Sequence, residues 1–480
     1  MRADGYALLA QGRSAVALAH AEAMLADSPD CADALVLRGA ALKALGQFAS
    51  AIAAFEGVLG REPSRAEVLV NLGNAHAELG HLEAARRCLE RALMLRPKLK
   101  AAHASLIGVC AMLGRDDLTE AACQTALAVD PTLVNANQYL AGILARRGET
   151  AAAQRHRDAA YRQQNVFVEP AVGPRPRVLV LLTARDGNIP LKYLLSRDRY
   201  TVVKWLIDYA TPGQSGNLPG YDVVFDAIGE PDLPASVHAA AERFRSICPL
   251  PFINFPERVQ RTCRTMLPEL FRGVPDLVVP PVRLWRSGEA VDASVLPALL
   301  RPVGAHGGEG LVLARTPEEL VQALAGPHDC YVTAFRNFCS PDGAWRKYRM
   351  VFIDRRPYPY HLAIADQWLV HYYTSNMAAH HERREEERRF LADPAAAIGA
   401  PALAALTTAG ERLGLDYGGI DFSVLADGRV LVFEANATMV VHPETPDGPF
   451  AYKNKAVQTI LDAFDAMVAR RIAEAELLVR

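Results

Sequence analysis

Residues 69–97 read LVNLGNAHAELGHLEAARRCLERALMLRP, from Leu69 to Pro97. Leu69, Leu72 and Gly73 open one helical pattern, Gly80 breaks it, Ala85 and Ala92 lie on a second, and Pro97 ends the stretch. Small residues let two helices approach closely, glycine makes the turn between them, and proline keeps the second from running on. The stretch therefore reads as a helical hairpin with one apolar face left open, and only a neighbouring copy covers such a face. Outward from it, the copies are there. Glycine recurs at Gly12, Gly46, Gly80, Gly114 and Gly148, a constant step of 34, and Pro29, Pro63, Pro97 and Pro131 keep the same step. Ala17, Ala51 and Ala85 sit at matching positions between them. About four and a half copies fit between residues 1 and 165, stacked as a curved solenoid.

This pattern resembles the tetratricopeptide repeat (TPR). Its departures lie at the ends: the first copy lacks most of its opening helix, and the last has Asn137 and Ala141 at the usual apolar and glycine positions. The resemblance implies a concave surface, lined by the first helix of each pair, that takes a peptide or protein partner. Asn71, Asn74, Asn135 and Gln138 are the candidate contacts, because amide side chains are unfavourable inside helices and hydrogen-bond an extended backbone. The same four also read as ordinary solvated helix positions. No dense Lys and Asn clamp for a C-terminal carboxylate stands out, so a chaperone C-terminus is not a favoured ligand.

The whole chain has 480 residues, room for two to four domains. Half of it is hydrophobic, 22% is charged and the formal net charge is -2, a soluble globular composition. A net charge this close to zero gives no global attraction to nucleic acid or to an anionic membrane, and neither is an expected partner. Met1-Arg2-Ala3-Asp4 lacks a basic stretch leading into an apolar one, and no uninterrupted apolar run of about 18 residues is present, so the expected location is cytoplasmic. Cys31, Cys88, Cys110, Cys123, Cys248, Cys263, Cys330 and Cys339 form no CxxC pair and no zinc spacing, and are expected to be buried reduced thiols.

Alanine-rich periodicity stops at Glu169-Pro170-Ala171-Val172-Gly173-Pro174-Arg175-Pro176, which sets a linker at 166–176. The apolar runs Val178–Leu182, Thr201–Val203 and Tyr221–Phe225 read as strands buried on both faces, in an open α/β lobe over 177–265. Further on, Leu299–Val303 reads as a strand entering Gly304-Ala305-His306-Gly307-Gly308-Glu309-Gly310 and leaving along Leu311–Leu313. Glycines there permit backbone N–H groups to close over nucleotide phosphates, and they equally suit a mobile hairpin turn. Then Asp416–Phe422 and Val430–Asn436 read as two antiparallel strands joined at Asp427-Gly428, with Glu434 and Asn436 on one face across from Asp421. Carboxylates converging among apolar strands require a positive partner, and hard oxygen ligands suit magnesium with phosphate oxygens and water.

Residues 177–470 resemble the ATP-grasp superfamily, whose signature is an Asp, a turn, then Glu-x-Asn on the next strand, after a basic residue and a glycine-rich lid far upstream. The expected fold class is accordingly α followed by α/β: an all-α TPR solenoid, then a multi-lobed ATP-grasp fold. Its lobes would be the 177–265 lobe, a central lobe at 266–345 with the lid, and a C-terminal lobe at 346–480 with the metal site. The resemblance implies that Asp421, Glu434 and Asn436 hold two magnesium ions, replaceable by manganese, that bridge the phosphates of ATP. It makes Arg301, standing where lysine is common, and Arg264, with Arg261 second, the phosphate-binding cations. Tyr331, Val332, Thr333 and Phe335 fall where the hinge contacts adenine and ribose, with Thr333 where glutamate is often found, so adenine over guanine rests on the family alone. Arg349 falls where an arginine reaches the transferred phosphoryl group, and Gly304, Gly307, Gly308 and Gly310 frame His306 and Glu309 in the lid. Spacing and metal motif match the D-alanine–D-alanine ligase branch, but that branch has arginine where this chain has Gly419.

The chemistry implied is phosphorylation of a substrate carboxylate by magnesium-ATP, then attack of an amine on the acyl phosphate to give an amide, ADP and phosphate. The repeats would present a peptide or protein substrate, and the co-substrate would be a small amine or amino acid. Two alternatives stay open: a kinase of the same fold that phosphorylates a hydroxyl, and a scaffold regulated by a degenerate nucleotide site. His361, His371 and His442 each read as a base or as a structural histidine. The mixed-sign run from Ala379 to Arg389 reads as a solvated helix. A homodimer is left open, since oligomeric state is not readable here.

Overall fold

The spacing of 34 becomes a succession of helix ends. The computed structural model describes residues 2–479 apart from 172, 291, 306, 307, 327 and 373. The chain divides into two units, Met1–Gln164 and Asn165–Arg480. The first contains α1 (Arg2–Ala10), α2 (Ser14–Asp27), α3 (Ala32–Ala44), α4 (Phe48–Arg61), α5 (Ala66–Glu78), α6 (Leu82–Leu95), α7 (Lys100–Met112), α8 (Asp116–Val129), α9 (Val134–Arg146) and α10 (Thr150–Tyr161). Gly12, Gly46, Gly80, Gly114 and Gly148 have φ between 69° and 78°, the left-handed conformation that ends the first helix of each pair. The opening helix, expected to be mostly missing, is present over nine residues against 13 in α3, which corrects that expectation.

Helix pairs close by matched volumes. A Cβ on Gly39 would meet the Phe55 ring at 2.5 Å, and one on Gly73 would meet Leu89 at 2.9 Å. One copy further on, the same two positions are Ile107 and Cys123, buried together in one core. Large faces small in each case, with the roles reversed in the third. Asn137, the odd residue of the last copy, is buried and satisfied: its amide donates to the carbonyls of Pro131 and Leu133, and its oxygen meets the His156 ring at 2.8 Å.

The second unit is built on three sheets. The first has the order β1 (Val166–Glu169), β3 (Thr201–Leu206), β2 (Arg177–Leu182), β4 (Val223–Asp226), β5 (Phe252–Ile253), parallel except for β1. The expected linker at 166–176 is thus corrected at its start. Val166, Phe167 and Val168 are strand-forming residues that pair with Trp205, Lys204 and Val203, and the Asn165 amide anchors their approach by donating to the Tyr209 carbonyl at 2.8 Å. After α11 (Ala235–Ile247), α12 (Pro256–Gln260), α13 (Leu267–Leu270) and β6 (Leu277–Val278) comes an antiparallel sheet. Its order is β7 (Val282–Trp285), β10 (Cys330–Ala334), β8 (Ala298–Pro302), β9 (Val312–Ala314), with α14 (Pro317–Ala323) beside it.

The third sheet has the order β12 (Arg356–Ala365), β11 (Trp345–Ile353), β13 (Tyr417–Val424), β14 (Val430–Asn436), β6. One face packs Met350, Phe352, Ile420 and Phe422 against Phe390 and Leu406, which come from α15 (His381–Ala392) and from α17 (Ala400–Leu413) beyond α16 (Pro394–Ile398). Tyr417 packs instead with Phe225 of the first sheet and Phe464 of α18 (Asn454–Val479). The mixed-sign helix α15 is not wholly solvated: Glu387 is buried, accepting hydrogen bonds from the Leu362 amide and the Tyr372 and Tyr452 hydroxyls. All eight cysteines are free; Cys110, Cys123 and Cys330 are buried, but the other five are partly exposed, which corrects the expectation for them. No helix among the described residues is long and apolar enough to cross a membrane.

Candidate functional site

Strand alternation decides which side chains meet. On β13, Ile420 and Phe422 turn to the helix-covered core, so Asp421 turns to the other face, where its side chain is fully enclosed. Its register partners are Arg349 on β11 and Glu434 on β14, and Gly419 lies opposite Asn436. Arg349 grips Asp421 with two bonds, Nε to Oδ1 at 2.5 Å and Nη2 to Oδ2 at 2.8 Å, and the Lys347 ammonium stands 2.7 Å from Oδ2. Glu434 accepts a bond from Arg264 at 2.5 Å and has Arg301 at 3.7 Å. Like charges directly across a strand pair repel. Here four cations offset that repulsion.

The electrostatics follow from these partners. Burial alone would raise both carboxyls. Arg349 and Lys347 reverse that for Asp421 and hold it well below the ordinary carboxylate range. Glu434 is held down at about 2 by Arg264 and Lys347, against burial and the Asp421 charge opposite. Both are therefore anions at neutral pH in spite of being enclosed. Among the described residues Asn436 Oδ1 accepts only a long bond from Thr438, at 3.3 Å. Two carboxylate groups and one amide oxygen from adjacent strands form a hard-oxygen donor set suited to magnesium. Among the described residues no group of three His, Cys, Asp or Glu side chains converges, so that set depends on the amide.

Beside this ladder runs a cleft between the second and third sheets. Arg264, Arg301, Tyr331, Thr333, Phe335 and Lys347 line it, together with Trp368, Leu369 and Phe433. Arg264 reaches it while Arg261 is exposed elsewhere, which separates the two candidates. Val332 does not line it. Tyr331 and Thr333 face the cleft, so parity turns Val332 to the opposite side, among Trp285, Leu320 and Leu324. The free volume is about 110 Å³, below the ~300 Å³ at which ligand pockets ordinarily begin. A nucleotide needs the wall to move. Gly304, Gly308 and Gly310 have φ of 76°, 84° and 64° in the β8–β9 loop, but among its described residues Leu311 rather than a glycine meets the cleft. Gly308 approaches the far wall: a Cβ there would lie 3.7 Å from Leu369. His306 and Gly307 lie outside the described residues.

Four of the lining residues named above escaped the sequence reading: Lys347, Trp368, Leu369 and Phe433. Lys347 carried a signal, since it is two positions from Arg349 and so shares its face. Trp368 and Leu369 carried none, because they belong to the irregular segment after β12. Gly419 has a packing cause: a Cβ there would fall 2.7 Å from the Met439 sulfur and 2.8 Å from the Met350 carbonyl. No larger side chain fits. Of the amides expected on the repeats, Asn71 accepts from Lys43 at 3.1 Å and Asn135 donates to the Ala104 carbonyl at 3.2 Å, so both are used inside the array.

Models of the tetratricopeptide repeat match residues 3–66 and 42–108. The N-terminal region therefore carries tetratricopeptide repeats. Among solved structures, the crystal structure of MamA is 21% identical at a TM-score of 0.31, the match covering 32% of this chain and 91% of that one. Pseudomonas aeruginosa pilF is 19% identical at 0.32, covering 33% and 72%. A thermophilic TPR protein of Thermus thermophilus is 26% identical at 0.29, covering 33% and 88%. No curated protein matches the chain.

Proposed function

We propose that the second unit is a magnesium-ATP-dependent carboxylate–amine ligase of the ATP-grasp type, and that the repeats capture a peptide or protein and bring it to that unit. The observation that carries the reading is the ladder of Asp421 and Glu434, kept ionised by Arg349, Lys347, Arg264 and Arg301 at the edge of a cleft. Buried carboxylates this crowded are costly unless they serve something. Asp421, Glu434 and Asn436 would hold magnesium, which would draw the phosphates of ATP together and neutralise charge developing on them.

The chain's own groups then divide the work. Once the carboxylates serve the metal, Arg264 and Arg301 are free to turn to phosphate oxygens, and Arg349 and Lys347 to the group in transfer, as fixed cations that stabilise its charge. Tyr331, Thr333, Phe335, Trp368 and Phe433 offer an aromatic and apolar seat for a base. The bent β8–β9 loop would lift to admit the nucleotide and settle toward Leu369 to keep water from the acyl phosphate. The terminal phosphoryl passes to the acid, the amine displaces phosphate from the acyl carbon and gives up a proton, and amide, ADP and phosphate leave. Gly419 with Met439 against it leaves no room for the arginine of the D-alanine branch, so the reading does not extend to that substrate. Repeats of this kind generally mediate protein–protein contact through their stacked surface.

The test is thermal stability with and without magnesium-ATP on the wild type and on Glu434→Gln. A ligand bound only to the folded state raises the melting temperature. A magnesium-dependent rise in the wild type that Glu434→Gln loses is expected, with ADP release abolished in the variant. Undiminished ATP consumption by Glu434→Gln would refute the metal assignment, and no rise in either protein would leave a scaffold. A stable phosphorylated product with no amine requirement would identify a kinase instead.

A further inference from the structure

A second cavity of about 310 Å³ shares Lys347 with the cleft and is lined by Arg349 as well. It lies within the size range of small-ligand pockets. Five segments wall it: β11, β12, His371 and Tyr372 with Asn376 to Ala378, the loop after β14 with Val440, His442 and Glu444, and Phe450 with Lys453 before α18. Walls on so many sides make a chamber suited to a compact molecule.

The lining is unevenly charged. Lys347, Arg349 and Lys453 are its cations, and Glu444 is its carboxylate. Lys453 is almost wholly enclosed; its ammonium stands 3.1 Å from Glu444, donates to the Tyr372 hydroxyl at 3.0 Å, and lies 4.0 Å from buried Glu387. Glu444 is thereby neutralised. Lys347 and Arg349 are balanced by Asp421 and, beyond it, by Glu434, the two carboxylates that the proposed metal would take. With those carboxylates so engaged, Lys347 and Arg349 are the two cations of the chamber left unanswered, while Lys453 is answered by Glu444 and Glu387. Two neutral donors are also uncommitted. His361 is 7% exposed, stacks on Tyr372 at 4.8 Å, and makes no hydrogen bond among the described residues. Asn376, held at a left-handed φ of 49°, likewise makes no side-chain bond among the described residues and lines the same space. Asparagine tolerates that conformation better than most residues, but it is still uncommon and clusters at functional positions.

We propose that this chamber seats the acid substrate of the ligase, and that the acid is a small diffusible molecule with two anionic groups rather than a carboxylate on a protein. One group would lie against Lys347 and Arg349, where it meets the phosphoryl group, and the other within reach of His361, Asn376 and Lys453. The inference rests on the ligase reading, and it gives the repeat-bound partner the part of the amine donor. An acid with one negative charge leaves a cation unanswered, and a zwitterion brings an ammonium into a positive chamber.

The experiment uses the full chain and a panel of dicarboxylates and phosphocarboxylates of two to eight carbons, with monocarboxylates and ω-amino acids of the same lengths. Melting temperature and isothermal titration are read with and without magnesium-ATP. The expected result is binding by one or more dianions at least tenfold tighter than by the matching monoanion or zwitterion. Val440→Trp, at a half-exposed lining position, should abolish it by filling the chamber. His361→Phe, which keeps the ring stack, should weaken it about tenfold. Both variants should retain the rise with magnesium-ATP. Binding only by monoanions or zwitterions, binding indifferent to Val440→Trp, or no binding by any acid beside a normal magnesium-ATP response would overturn the inference. Loss of the magnesium-ATP response with dianion binding preserved would instead overturn the ligase reading.

Discussion

Asp421 has no exposed surface and three bonds or contacts from two cations, so its ionisation is a property of its neighbours rather than of the residue. Removing one partner of such a pair leaves a charge stranded away from water, which costs about 3–5 kcal/mol. Arg349→Met should therefore destabilise the second unit by about 3 kcal/mol, with Lys347 retaining part of the compensation. Adding Asp421→Asn to it should recover most of that loss, because the carboxylate that needed an answer is gone. Urea unfolding of both variants reads the difference; a cost below about 1 kcal/mol for Arg349→Met, the range of exposed pairs, would mean that the pair is open to solvent. At this scale the sequence was legible where alternation decided the matter, as for Asp421 against Ile420 and Phe422, and the same parity marks Lys347 beside Arg349, which the reading passed over. The same parity turns Val332 away from the cleft, a consequence available from Tyr331 and Thr333 alone. Gly419 was not legible, because the side chain that forbids a larger residue there, Met439, is 20 positions away and meets it only in three dimensions.

Each repeat is a pair of helices whose separation is set by one contact. Gly73 faces Leu89, and the next copy places Ile107 against Cys123 at the same two positions. The fold asks for a total volume, and the two helices divide it differently in successive copies. Gly73→Ile should crowd Leu89 and the Ala85 carbonyl behind it, and Leu89→Cys should leave a void, each lowering stability by about 1–4 kcal/mol. The two together should recover more than half of the summed loss, by restoring the arrangement of the third copy. Thermal unfolding of the isolated variants and of the double mutant decides it, and strict additivity would show that the contact does not set the helix spacing. The repeat was legible as an element because period is a local property of the chain. The sheets were less so: the register shift between Asp421 and Phe422, which passes over Phe433, has no sequence signature, yet it sets which residues share a face with Glu434.

At the scale of the molecule, the two units have separate cores, and the boundary is sharper than composition suggests. Proline and glycine at 170–176 mark a linker, whereas the second unit already begins at Asn165. Its amide bonds to the Tyr209 carbonyl and to Gln214, the next four residues pair along β3, and Glu169 meets Lys204 at 2.5 Å. Strand-forming residues directly after a long helical array read as the array's end, and only pairing with residues 202–205 reveals them as the start of a sheet. A chain beginning at Asn165 should fold cooperatively and keep the full rise in melting temperature with magnesium-ATP. A chain beginning at Arg177 loses the edge strand, leaves one side of β3 unpaired and should melt several degrees lower. Equal melting temperatures for the two would show that β1 adds nothing to the second unit. A chain from Asn165 that fails to fold, or that loses a nucleotide response seen in the full chain, would show instead that the second unit depends on the repeats.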